Sequence, residues 1–256
     1  MKLNFRKIGE GPQPIIILHG IFGSSDNWIT FAKSLDESQF SIYLLDQRNH
    51  GQSPWSEDFD YDYLADDLKE FIEDLTLPHP IIMGHSMGGK TVMQFDLKYP
   101  NIAKKIIIVD IAPKFYPVHH DAILAGLNSM ALDKIQSRQD ANDHLKRFIE
   151  LEGIRQFILK NLYRDENQNF KFRINLKVIT QKIDVVGHEL IYKKHSDTPT
   201  FFIKGENSHY IQVEDERLIA EIFPNFNIYS VPNAGHWVQA DNPIDFKIVF
   251  EQIMNQ

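Results

Sequence analysis

The chain has 256 residues, 43% hydrophobic and 24% charged, with 35 acidic residues against 27 basic and a net charge of −8. That balance argues against a nucleic-acid or membrane partner, and the lack of cysteine excludes disulfides and a thiol nucleophile. The first residues, Met-Lys-Leu-Asn-Phe-Arg-Lys-Ile, lack the apolar stretch of a signal peptide, and no run reaches the ~20 apolar residues that span a bilayer, so a soluble cytoplasmic protein is expected.

In chain order, strands are predicted at Ile15–Leu18, Ile42–Leu45, Ile81–Met83, Ile106–Val109, Thr200–Ile203 and Asn227–Val231. Each is a short apolar run bounded by turn residues, the pattern of a parallel sheet covered on both faces. Helical patterns fill the gaps. Apolar positions at Tyr61, Leu64, Ala65, Leu68, Phe71, Ile72 and Leu75 predict a helix over 61–75 that stops before Pro78. A second is predicted from about Gly88 to Lys98, and Pro243–Met254 closes the chain. The alternation predicts an α/β fold with a mostly parallel central sheet flanked by helices.

One region departs from the alternation. Between Pro113 and Pro199 there are helical stretches near 122–130, 140–150 and 154–163 and a polar stretch over 164–169, with no convincing buried strand. The expectation is a helical cap, 114–197, inserted into a core made of 1–113 and 198–256 at the carboxyl end of the sheet, where open α/β sheets bind ligands.

The chemistry begins after the third predicted strand. Gly84-His85-Ser86-Met87-Gly88 fits G-x-S-x-G, the nucleophile elbow, and lies between a strand and a helix as that turn requires. Glycine is favoured at both flanks because the tight turn brings them against nearby backbone. Ser86 is the predicted nucleophile, with the backbone N–H of Met87 at the helix start facing a developing oxyanion. The second oxyanion donor is expected in His19-Gly20-Ile21-Phe22-Gly23, at the Ile21 N–H, with His19 bracing that loop.

Eleven histidines compete for the role of base. His85 adjoins the nucleophile and should turn away from it. His50 lies in a polar loop where Asp46 and Arg48 read as a structural pair. His119-His120-Asp121 has metal-ligand residue types without zinc spacing and reads as solvated surface, so no metal is expected. His236 follows the last strand, in Asn233-Ala234-Gly235-His236-Trp237, and completes the order Ser, acid, His.

For the acid, the loop after the strand preceding the histidine's strand is the usual place. It reads Gly205-Glu206-Asn207-Ser208, with serine where aspartate would stand. Asp110 instead ends the strand one step earlier, among apolar residues that a carboxylate enters at a cost unless it is partnered. Asp110 is therefore assigned as the orienting acid over Glu206, with Ser208 a candidate fourth member.

These stretches also carry a family resemblance. HGIFGS (19–24), DQRNHGQSP (46–54), GHSMGGK (84–90), VDIAP (109–113), GENSHY (205–210) and AGHWV (234–238) run from end to end of the core. The chain resembles the α/β-hydrolases, in particular the bacterial YbfF-type serine esterases and their mitochondrial relatives in animals. The resemblance implies hydrolysis of short-to-medium acyl esters or acyl thioesters, with a small acyl ester or acyl-CoA as substrate and no cofactor. Its acid follows the earlier strand, in agreement with Asp110. Other chemistry on this scaffold stays open: a menaquinone-pathway lyase, a proline iminopeptidase, or a ligand sensor without catalysis. Lys160, Arg164, Lys171, Arg173 and Lys177 are candidates for meeting CoA phosphates or, equally, for a solvated helix surface.

Overall fold

The apolar run ahead of His19 becomes the second strand of a seven-stranded sheet in a computed structural model that describes residues 1–256. The strands are β1 (Phe5–Ile8), β2 (Gln13–Leu18), β3 (Phe40–Leu45), β4 (Ile81–His85), β5 (Lys105–Val109), β8 (Thr200–Gly205) and β9 (Phe226–Val231). They lie in the order β1-β3-β2-β4-β5-β8-β9, all parallel except β1, which pairs antiparallel with β3. This is the expected mostly parallel sheet flanked by helices.

Because side chains alternate along a strand, the isoleucine runs feed two cores. Ile16, Leu18, Ile82, Ile106, Ile108 and Phe202 pack on one face with α2 (Tyr61–Asp74) and α3 (Met87–Lys98). Ile15, Ile17, Ile81, Met83, Ile107 and Val109 pack on the other with α1 (Ile29–Ala32) and α10 (Pro243–Met254). The helix starts are fixed locally. Asp60 accepts from the Tyr63 N–H to cap α2, and Asn242 accepts from the Asp245 N–H ahead of α10, where Pro243 needs no donor.

Between β5 and β8 lie α4 (Asp121–Asn128), α5 (Arg138–Leu145), α6 (Glu152–Leu159) and α7 (Leu176–Gly187), while α8 (Glu216–Ile222) joins β8 to β9 and α9 (Val238–Asp241) precedes α10.

 Two short strands, β6 (Leu162–Arg164) and β7 (Phe170–Phe172), form an antiparallel hairpin across the polar stretch at 164–169, which sequence reading left without strands. Leu124, Leu127, Ile158 and Ile179 from this segment belong to the same apolar cluster as the sheet face below. The end of α7 is tied down by Lys90 on α3. That lysine is fully buried, and its ammonium meets the carbonyl oxygens of Gly187 and His188 under the rings of Tyr116 (4.9 Å) and Tyr61 (5.8 Å). Burial pushes Lys90 down to about 7, against the pull of Glu189. No helix is long and apolar enough to cross a membrane.

The Asp46–Arg48 pairing is corrected. Arg48 Nε and Nη2 donate to both carboxylate oxygens of Asp67 on α2, at 2.6 and 2.8 Å. Asp46 instead accepts from the N–H groups of Ser25 and Gln52 and the amide of Asn4. A guanidinium fork matches a carboxylate edge, and the fold presents that edge on α2.

Candidate active site

Ser86 occupies the single-residue turn between β4 and α3, at φ 52° and ψ −117°. A non-glycine residue in this region costs about 1–3 kcal/mol and persists only where its surroundings enforce it. Here the Ser86 N–H donates to the Val109 carbonyl (3.0 Å) and its carbonyl accepts from the Lys90 N–H (3.1 Å). The flanking glycines are sterically required. A Cβ on Gly84 would lie 2.2 Å from the Gly88 carbonyl oxygen, and one on Gly88 would lie 2.7 Å from that of His19.

The N–H groups of Ile21, Phe22 and Met87 donate to no acceptor in the protein. Phe22 is held at φ 59°, which turns the loop after β2 sharply. His19 braces that loop as expected: its Nδ1–H donates to the Gly20 carbonyl (2.8 Å), and Nε2 accepts from the Gln47 N–H (3.0 Å). Burial holds His19 below the usual imidazole range, against the pull of Asp46.

Asp110 follows β5 at φ 52° and is completely buried. Its Oδ1 accepts from the Gly205 N–H (3.1 Å), and its Oδ2 accepts from the Ser208 hydroxyl and from His236 Nδ1 (2.8 Å). A carboxylate buried without such donors would be costly. With Nδ1 donating to a carboxylate, the His236 tautomer leaves Nε2 as the free acceptor. Glu206 is exposed and accepts from the Asn233 N–H (3.0 Å), so the structure brings Asp110 to His236 and Ser208 to Asp110, and leaves Glu206 aside. His85 turns away from Ser86, and its Nε2–H donates to the His236 carbonyl (2.8 Å). Burial, then the neighbouring His236, pushes His85 down to about 3.

Sequence reading missed Tyr210. Its ring stacks on the His236 imidazole with centroids 3.8 Å apart and planes at 15°. It stands two residues after Ser208 in the same motif, but nothing in the sequence marks which ring that motif covers. The reading of His119-His120-Asp121 as solvated surface is corrected in part, because His119 and His120 line the cavity beside Ser86.

That cavity is about 940 Å³ and is shared by Ser86 and His236. Its walls are mostly apolar, from Trp28, Ile123, Phe148, Ile149, Ile154, Phe157 and Trp237, with Glu150, Glu152, Asp241 and Lys160 among the polar residues. Of the five candidate cations, only Lys160 lines it. Lys171 pairs with Asp165 (3.0 Å), Lys177 pairs with Glu57 (3.2 Å), Arg164 donates to the Gln168 and Gln136 carbonyls, and the Arg173 guanidinium covers the Tyr163 ring at 5.4 Å. No group of three or more His, Asp or Glu side chains is arranged to hold a metal ion.

Residues 13–243 match the family model described as the alpha/beta hydrolase fold. The sn-1-specific diacylglycerol lipase ABHD11 of Mus musculus is 36% identical over 246 residues, covering 93% of this chain and 80% of that one. Esterase YbfF of Escherichia coli (strain K12) is 34% identical over 249 residues, covering 95% of each. A solved marine microorganism esterase superposes with a TM-score of 0.95 at 40% identity, covering 98% of both chains. With the strand–serine–helix turn, the sheet order and these similarities together, the chain belongs to the α/β-hydrolase superfamily, among the YbfF-like esterases.

Proposed function

We propose that the chain is a serine hydrolase that cleaves short-to-medium acyl esters through an acyl-enzyme. The observation that carries this reading is the Asp110–His236 hydrogen bond, which leaves Nε2 free on the cavity that Ser86 shares. Similarity to two esterases and a diacylglycerol lipase supports the ester substrate class.

In the proposed reaction His236 Nε2 takes the Ser86 proton as Oγ attacks the acyl carbonyl. The unpaired N–H groups of Ile21 and Met87 receive the oxyanion, aided by the positive end of α3. Asp110 holds the tautomer and stabilises the imidazolium, and Ser208 and Gly205 hold Asp110. His236 then returns the proton to the leaving alkoxide. Water, activated by the same imidazole, clears the acyl group from Ser86. Residues 114–197 act as the cap that walls the acyl site. The three carboxylates and single lysine of the cavity favour a neutral alcohol as leaving group over a polyanionic CoA. Acyl thioesters with neutral thiols fall under the same chemistry.

The test is direct. Wild-type protein should be labelled by a fluorophosphonate and should turn over p-nitrophenyl acetate and butyrate. Ser86→Ala should abolish both, with kcat falling by roughly 10⁶ if the three residues act as a unit. A folded Ser86→Ala variant that keeps more than a small residue of turnover removes Ser86 from the mechanism. Labelling without turnover of any ester favours the sensor reading.

A further inference from the structure

We propose that Tyr210 is a positioning residue for His236: its ring is the face on which the imidazole rests, and its hydroxyl ties that face to the segment entering the cap. The inference rests on the reading above that His236 is the base.

One hydrogen bond to Asp110 fixes an edge of the imidazole but leaves the ring free to swivel about that bond. A second constraint has to act on a face. Tyr210 supplies it, parallel to within 15° at 3.8 Å. Tyr210 is itself held from four directions. Its N–H donates to Ser208 Oγ (3.2 Å), its carbonyl accepts from the Tyr116 hydroxyl, its ring stacks on Tyr116 at 5.3 Å, and its hydroxyl donates to His119 Nε2 (2.8 Å). The same residue therefore touches the base through its face and the acid's support through its backbone. His119 can accept because its Nδ1–H is used on the Pro117 carbonyl (3.1 Å).

The stack has a second consequence. When His236 takes the serine proton, an imidazolium lies against an electron-rich ring, an attraction that is weak for the neutral ring. Such a contact strengthens on the way to the transition state and so acts on kcat more than on KM. Burial, then Asp110, pushes the Tyr210 phenol up to about 12, so it stays a neutral donor to His119 through the working range.

The experiment compares Tyr210→Phe and Tyr210→Leu with wild type, reading kcat and KM on p-nitrophenyl acetate and the thermal midpoint. Tyr210→Leu keeps bulk but removes the aromatic face, and should lower kcat roughly tenfold with KM little changed. Tyr210→Phe restores the face and gives up only the hydroxyl's bond to His119, so it should recover most of that loss. The inference is overturned if Tyr210→Leu turns over as fast as wild type, or if Phe and Leu fall equally. If Tyr210→Leu does not fold, Tyr210→Met takes its place under the same criteria. His236→Ala separates the two levels, since a variant with wild-type turnover sinks the reading of His236 as base, whereas an inactive one beside a fully active Tyr210→Leu sinks only the role of Tyr210.

Discussion

Replacing Asp110 by asparagine keeps the shape of the site while removing its charge. The carboxylate now takes two donors on Oδ2, from Ser208 and His236, and one on Oδ1, from the Gly205 N–H. An amide cannot match that pattern in either orientation. With its oxygen toward Gly205, its NH₂ faces His236 and forces the proton onto Nε2, the wrong tautomer for taking a proton from Ser86. With its oxygen toward His236, its NH₂ opposes the buried Gly205 N–H, at a cost of about 1–3 kcal/mol for the unpaired donors. Either way the imidazolium loses its counter-charge, and the serine-protease precedent for this change is a fall of about 10⁴ in kcat. Ser208→Ala removes one of the three donors and should cost roughly tenfold at most. Glu206→Gln keeps an oxygen for the Asn233 N–H at an exposed site and should stay within about twofold. The assay is kcat on p-nitrophenyl butyrate, with circular dichroism to confirm folding. Should Glu206→Gln prove the most damaging of the three while Asp110→Asn stays folded and active, the acid belongs after β8 and the argument fails.

The sequence made the central sheet legible because its strands are buried on both faces, so each is a continuous apolar run. β1 was missed for the complementary reason. It lies at the edge, and in Phe-Arg-Lys-Ile the first three residues are exposed, so no apolar run marks it. β6 and β7 are three residues each, too short to show a period. In α7 a non-helical Lys182 (φ −119°) interrupts the 3.6-residue pattern that would have announced it. Within the site, Ser86, Asp110, Ser208 and His236 could be named because each follows a strand, and parallel strands end on one side of the sheet. Contacts decided by tertiary approach could not. The Arg48–Asp67 pair, the Lys90 tie to α7 and the Tyr210–His236 stack join residues whose partners no local pattern specifies.

Two predictions remain. If 114–197 walls the acyl site, Phe157→Ala, which removes a ring from the cavity wall beside Trp237, should lower kcat/KM for an octanoate ester roughly tenfold relative to acetate. Equal effects on the two esters would show that this wall does not meet the acyl chain. The second concerns acid. His50 is fully buried, donates Nδ1–H to the Arg48 carbonyl, and has no partner at Nε2. Burial, then the neighbouring His19, pushes it from 6.5 down to about 3. Between those values the unfolded chain binds a proton that the folded chain does not. The resulting stability is fully present above about pH 6.5 and is lost as pH falls toward 3. At pH 5 the loss is roughly 2 kcal/mol, from 1.36 kcal/mol per unit. His50→Gln cannot titrate, so its stability should fall by about 2 kcal/mol less than wild type between pH 7 and pH 5 in urea unfolding. Carboxylates such as Asp46 also lose stabilising interactions in acid, and they do so in both proteins, so the difference isolates the imidazole. Parallel stability curves for wild type and His50→Gln over that range would mean that His50 accepts its proton in the folded chain and is not held neutral by its burial.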